Sequence, residues 1–347
     1  MRHSLAMYGS VVAVVIIAAA LILYVKTAHA QKASPIQVTW LISHEPITLF
    51  DRAEVDFANE FNKDGDGTIQ ISVKGPKDYG STTGHLPPDT VLNALSSNQA
   101  QLATVVVGGL EESIPELRVM NLPYLFKDYA SAEKVFNGPI GTQLLNIIDK
   151  NTNAKALAFT YSGGFVVIDS DTTKISDASQ LSGLRIGTID GPTAIDALDA
   201  YGAKGESMDA SKGAKVNGDM LDQYDAEEIP YTRIFPEIGQ KPKYVLESYN
   251  GVFTTAILVS DAFYNSLSPQ NKNALQKAAN IAAEDERQDS IALAQQHRQQ
   301  LIDSGTVITT LSTSSVDQLK TAAQAVYQAY EKQFGSTLVN AIESAQQ

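Results

Sequence analysis

The sequence contains no cysteine. That excludes thiolate metal centres, cysteine nucleophiles, disulfide staples and a lipid-modified cysteine anchor. Basic residues are also scarce: 26 Lys and Arg stand against 39 Asp and Glu, a formal net charge of −13. A nucleic acid or an anionic membrane surface needs a basic face, so neither is an expected partner. Catalytic signatures are missing as well. There is no G-x-S-x-G elbow and no H-E-x-x-H pair. The stretch Gly80-Ser81-Thr82-Thr83-Gly84 lacks the Gly-Lys-Ser/Thr ending of a phosphate loop. No motif therefore supports an enzyme, a cofactor or a metal. Repeats, low-complexity tracts and linkers are absent too.

What is present is a long globular chain. Its 347 residues, 44% of them hydrophobic, exceed what one core of about 100–200 residues holds, so two domains are expected. The first 30 residues stand apart. Arg2 and His3 precede an apolar run from Val11 to Val25, and Ala28 and Ala30 give the small-x-small pattern read by signal peptidase. Cleavage would leave Gln31 as the mature N-terminus. Counted from Ala6, the run is also long enough to serve as an uncleaved anchor, the one expected contact with membrane. Either way the remainder lies outside the cytoplasm, and the expected compartment is the periplasm.

The mature chain alternates strand and helix patterns. Ile36–Ile42 reads as a first strand, and Ala53, Phe57 and Phe61 mark one helical face after it. Strands at 68–73 and 102–107 flank a short helix at 88–95, which predicts an α/β domain with a mainly parallel sheet. A helical stretch at 131–150, interrupted near Gly138-Pro139, leads to a strand at 155–161. After Gly163-Gly164 the pattern restarts, with strands at 165–168, 184–188, 244–247 and 252–259 and a helix from Pro192. Ser268-Pro269 then opens a helix reaching about Ile302, too long for one small domain and expected to brace both. A final helix is expected over 315–345.

Few polar clusters carry chemistry. Asn62-x-Asp64-x-Asp66-Gly67 matches the opening of a calcium loop, but its twelfth position is Val73, so it reads as a polar turn. His44 and Glu45 follow the first strand, where open α/β sheets bind ligands, and His85 precedes a helix. No H-x-x-x-H spacing makes the two histidines a metal site.

Five segments in order resemble the solute receptors of TRAP (tripartite ATP-independent periplasmic) transporters. They are Asn121-Leu122-Pro123-Tyr124 running on to Gly141, Tyr161-Ser162-Gly163-Gly164-Phe165, Leu181-Ser182-Gly183-Leu184-Arg185-Ile186-Gly187, Asp225-Ala226-Glu227-Glu228-Ile229-Pro230, and Leu267-Ser268-Pro269 on to Ala278. The resemblance implies a two-domain, periplasmic-binding-protein-like α/β fold with a hinged cleft and a long helix spanning both domains. Its domains would be 31–162 plus about 250–290, and 163–249 plus about 291–347. It implies capture of a small-molecule solute and delivery to TRAP membrane subunits. The alternative is the same fold as a sensory partner of a membrane receptor.

Departures from the family pattern bear on the ligand. Arginines that commonly hold a ligand carboxylate fall at Val166 and Gly187, a usual Asn at Ile229, and a usual aromatic at Ala210. The candidate ligand-binding residues are His44, Glu45, His85, Tyr161, Phe165, Arg185, Asp190 and Glu228. Arg185 and Arg118 are the candidates for a displaced carboxylate clamp. Without one, the set is neutral to acidic and favours a polyol, a sugar or a cationic solute.

Overall fold

The computed structural model describes residues 34–81, 84–208, 223–238 and 241–347, with the backbone alone at 235–238. The export segment, Thr82, Thr83 and Ala210 lie outside them. Residues 37–347 form one compact unit.

Along the chain, β1 (Ile36–Ile42) leads to α1 (Asp51–Asp64), β2 (Ile69–Lys74), α2 (Pro88–Ser96) and β3 (Leu102–Val106). Short 3-10 turns at Gly108–Leu110 and Pro115–Asn121 precede α3 (Tyr129–Phe136) and α4 (Pro139–Asn151). Then come β4 (Ala154–Ser170), β5 (Arg185–Thr188), α5 (Pro192–Ala200), β6 (Lys204–Ser207), β7 (Ala226–Pro230) and α6 (Tyr231–Ile238). The rest is β8 (Tyr244–Glu247), β9 (Val252–Ser260), α7 (Asp261–Ser266), α8 (Pro269–Asp303), β10 (Val307–Thr310), α9 (Thr313–Phe334) and α10 (Thr337–Ala345).

The described strands order as β2-β1-β3-β9-β4-β7-β5-β6, with β8 on β4 and β10 on β8. The β1–β3 and β5–β7 pairs are parallel, while β9 runs antiparallel to β3 and β4. Two sequence-predicted strands, 155–161 and 165–168, are one 17-residue strand, β4. Its register with β9 slips between Tyr161 and Phe165, at Ser162-Gly163-Gly164. Before the slip β4 belongs to the first lobe's sheet. After it, β4 pairs with β7 and β8 of the second. Gly164 has φ 75, and a Cβ there would lie 2.2 Å from the Tyr129 hydroxyl, so the slip requires glycine.

Each lobe has its own core. The first collects Leu41, Val91, Leu110, Phe136, Leu144 and Phe159, and it also takes Val326, Tyr330, Val339 and Ile342 from the last two helices. The second collects Ile168, Ile186, Ala197, Leu198, Leu246 and Leu319. Helix α8 spans both. Ser268 caps it by accepting the Asn271 amide at 3.1 Å, and 35 residues without internal glycine reach about 50 Å at ~1.5 Å per residue. Its early alanines, Ala274 to Ala283, are buried, while Ala294 and Leu301 join a cluster with Val167, Ile229 and Val245 of the second lobe.

The calcium-like turn is tied up in packing. Asn62 Oδ1 accepts the Ile69 amide at 2.7 Å, Asp64 pairs with Lys277 at 2.5 Å, and Asp66 accepts from Ser268 at 2.7 Å.

Candidate functional site

The parallel strands β1, β5 and β7 end at the seam between the lobes; the loops after β1 and β5 carry His44, Glu45 and Asp190, and β7 itself carries Glu228. Beyond β1 the chain crosses to the segment before α2. Glu45 N donates to Gly84 O at 2.8 Å and Leu86 N to Ser43 O at 2.7 Å, which sets His44 beside His85. The His44 ring is fully buried, with its centre 5.9 Å from both Phe50 and Phe253. Burial, then the Arg233 charge, holds its pKa down to about 3, so it is a neutral imidazole.

Arg233 enters the seam from α6 of the second lobe. It is 1% exposed, and its guanidinium carbon stands 5.5 Å from the centre of the Phe253 ring. Around Phe253 lie Val106 at the end of β3, Val166 within β4 and Ile189 just past β5. Burial pushes the Arg233 pKa down to about 9, and the charges of Glu45 and Glu227 pull it up, so the side chain stays cationic at neutral pH.

The seam also holds acidic groups. Glu228 on β7 accepts from Asn250 Nδ2 at 2.8 Å, and burial raises its pKa to about 7. Asp190, after β5, is raised well above the usual range by burial, then by Glu111 and Glu228. Asn121 donates to Glu111 Oε1 at 2.7 Å and lies 3.3 Å from Asp190 Oδ1. The lobes touch here without side chains between them: a Cβ on Gly108 would lie 1.9 Å from the Asp190 carbonyl oxygen, and one on Gly191 would lie 2.2 Å from that of Gly108. Just outside, His85, Asp89 and Glu112 of the first lobe face Ile189 and Ser207 of the second around a pocket of about 320 Å³.

The structure therefore brings His44, Glu45, His85, Asp190 and Glu228 to one seam. It places three other candidates elsewhere. Tyr161 is buried under the first lobe, donating to Glu133 at 2.9 Å and stacking on Tyr129. Phe165 packs on Tyr129 and Tyr249 at a separate pocket of about 330 Å³ against α8. Arg185 stands at the amino end of β5, half exposed and paired with Glu206 at 2.9 Å, away from the strand end that meets the seam. Arg118 is committed to α5, donating to Thr193 Oγ1 at 3.1 Å and pairing with Asp196. The space at Gly187 is filled, since a Cβ there would lie 2.7 Å from Met208 and 2.9 Å from Tyr224.

Comparison with known proteins places this architecture. The DctP family model, described as bacterial extracellular solute-binding protein, family 7, matches residues 44–333. The chain belongs to that family. The C4-dicarboxylate-binding periplasmic protein of Vibrio cholerae is 24% identical over 263 residues, 75% of this chain and 77% of that one. The C4-dicarboxylate-binding protein DctB of Bacillus subtilis is 25% identical over 291 residues, 82% and 79% of the two chains. The sugar acid binding protein of Advenella mimigardefordensis, solved with galactonate, overlays with a TM-score of 0.77 at 20% identity, covering 90% of this chain and 98% of that one. A TRAP periplasmic solute binding protein of Haemophilus influenzae, solved with L-gulonate, gives 0.77 at 21% over 89% and 99%. The chain is thus a TRAP-type solute-binding protein of transport, with the two-domain fold and the extracytoplasmic setting of its family.

Sequence reasoning missed Arg233. It sits three residues past Pro230, in a stretch read as neither strand nor helix, and nothing in Tyr231-Thr232-Arg233-Ile234 marks it as buried. Loss of both clamp positions therefore does not leave the seam without a cation.

Proposed function

We propose that this solute-binding protein takes its solute into the seam between the lobes, with His44, Glu45, His85, Arg233, Asp190 and Glu228 around it, and delivers it to TRAP membrane subunits. The first lobe comprises residues 34 to about 162 and about 250 to 290, joined by the last turns of α9 and by α10. The second comprises about 163 to 249 and the remainder. Export precedes this role, by cleavage before Gln31 or by anchoring through the same segment. An intact mass of the exported protein separates the two. The role is capture rather than turnover.

One observation carries the ligand class: a cationic guanidinium buried at the seam, with acidic and amide groups along the same seam. A hydroxylated small acid fits that polarity. Its carboxylate would pair with Arg233, and its hydroxyls would meet Asp190, Glu228 and Asn250. Charge-assisted hydrogen bonds to an arginine contribute about 1.5–3 kcal/mol each. A second reading leaves Arg233 balanced by the charges of Glu45 and Glu227 and admits a neutral polyol. Thermal-shift titration with galactonate and with galactitol separates them. A ligand at 100 times its dissociation constant adds about 2.7 kcal/mol to stability. Under the first reading galactonate stabilises, galactitol does not, and Arg233→Met abolishes the effect. Equal stabilisation by both, unchanged in Arg233→Met, refutes it.

A further inference from the structure

The contact between the lobes has a specific chemical clasp. Glu111 belongs to the first lobe, one residue past Leu110 of its core. Its carboxyl crosses the seam to the start of α5, whose Ala197 and Leu198 belong to the second core. There Oε2 accepts the Thr193 amide at 2.8 Å and the Thr193 hydroxyl at 2.7 Å. Oε1 accepts Asn121 Nδ2 at 2.7 Å. Glu111 is 1% exposed and Thr193 is fully buried, so both are covered by the contact they make. No solute is needed to complete these bonds.

We propose that Glu111 is the positioning residue for closure: by capping α5 across the seam it holds the lobes together. The inference rests on the reading of the two lobes as closing on a solute. The groups facing Glu111 are Arg118 and Asn121 on its own lobe and Thr193 and Asp190 on the other, with Glu228 beyond Asp190 and Asp196 paired to Arg118. Glu112 and His85 stand at the mouth. Burial raises the Glu111 pKa to about 7 in the closed form, against the partial offset of Thr193, Asn121 and Arg118. Opening returns the carboxyl to water and to the usual carboxylate range. The closed form then binds a proton that the open form releases. Its advantage is complete below the usual carboxylate pKa and is lost as pH rises through about 7. Asp190 and Glu228 shift in the same direction and add to it.

The absence of cysteine allows clean labelling. Spin labels on Gln99→Cys and Ser182→Cys, exposed sites on the two lobes outside the seam, report the interlobe distance by pulsed electron resonance on the ligand-free mature chain. The ratio of closed to open molecules should fall about tenfold from pH 6 to pH 8 for the Glu111 proton alone. Glu111→Gln, which resembles the neutral acid, should stay closed at pH 8 and lose that part of the pH dependence. Glu111→Ala and Thr193→Val should shift toward open at both pH values. Wild-type populations in Glu111→Gln and Glu111→Ala at both pH values overturn the clasp while leaving lobe closure intact. A single distance in every sample overturns the closing reading and the clasp with it. Melting curves on the same samples verify that each variant is folded.

Discussion

Gly108 and Arg233 show how differently single residues can be read. The candidates that the strand-end rule located, His44 and Glu45, lie just past β1 with His44 beside His85, because a strand's carboxyl end is fixed once the strand is. Arg233 escaped because its burial depends on α6 folding back onto β4, a tertiary event with no local signal. Gly108 carries no side-chain chemistry at all, yet it decides how closely the lobes meet. Its backbone is not left-handed, so Gly108→Ala should still fold, with its lobes held apart. In the closed form the added methyl would sit 1.9 Å from the Asp190 carbonyl and 2.3 Å from its carboxyl, both across the seam. Ligand affinity should therefore fall at least about tenfold, or ~1.4 kcal/mol. Calorimetric titration alongside a melting curve checks both halves. Unchanged affinity would mean that the lobes need not meet at Gly108 in the bound form.

Helix α8 was the element most legible in the sequence, since Ser268-Pro269 starts it and no glycine stops it. What the pattern could not reveal is the carboxyl group it buries at the lobe junction. Glu286 is fully buried midway along the helix and accepts the Ser162 hydroxyl, at the register slip of β4. Burial raises its pKa to about 8, ahead of the offsetting hydrogen bonds from Ser162 and Thr160. Its folded value lies above its unfolded one. Its contribution to stability is therefore fully present below the ordinary glutamate range and is lost as pH rises through about 8. Between pH 7 and pH 9 this one group should remove on the order of 1 kcal/mol of stability. Glu286→Gln keeps the volume and one acceptor for Ser162 but cannot ionise. Urea unfolding of both proteins at the two pH values should show a shallower decline for the variant. Parallel declines would contradict the assignment. Other elements were harder to read: β4 looked like two strands because Gly163-Gly164 interrupts its apolar run, and α9 and α10 looked like one helix despite the break at Gly335.

At the scale of the whole molecule, the chain's two lobes are each assembled from distant segments. The sequence announced two α/β halves and a brace, but it gave no sign that the chain's last helices return to the first lobe. Helix α9 begins in the second core with Leu319 and Ala323 and ends in the first with Val326 and Tyr330. Helix α10 then buries Val339 and Ile342 in that first core, and Gln346 Nε2 donates to Leu125 O at 2.9 Å, just before α3. Truncating a buried aliphatic side chain costs about 2–5 kcal/mol, so two of them are a large share of a typical domain's ~5–15 kcal/mol. A chain ending at Gly335 should therefore lose several kcal/mol in urea unfolding, with the loss confined to the first lobe. Because α3 carries Tyr129, which packs under Gly164 and against Phe165 at 5.0 Å, the same truncation should also weaken ligand binding without touching a seam residue. Val339→Ala with Ile342→Ala tests this at milder cost. Hydrogen exchange should quicken in α3 and α4 before β5 and β7, and equal quickening in both lobes would mean that they unfold as one unit.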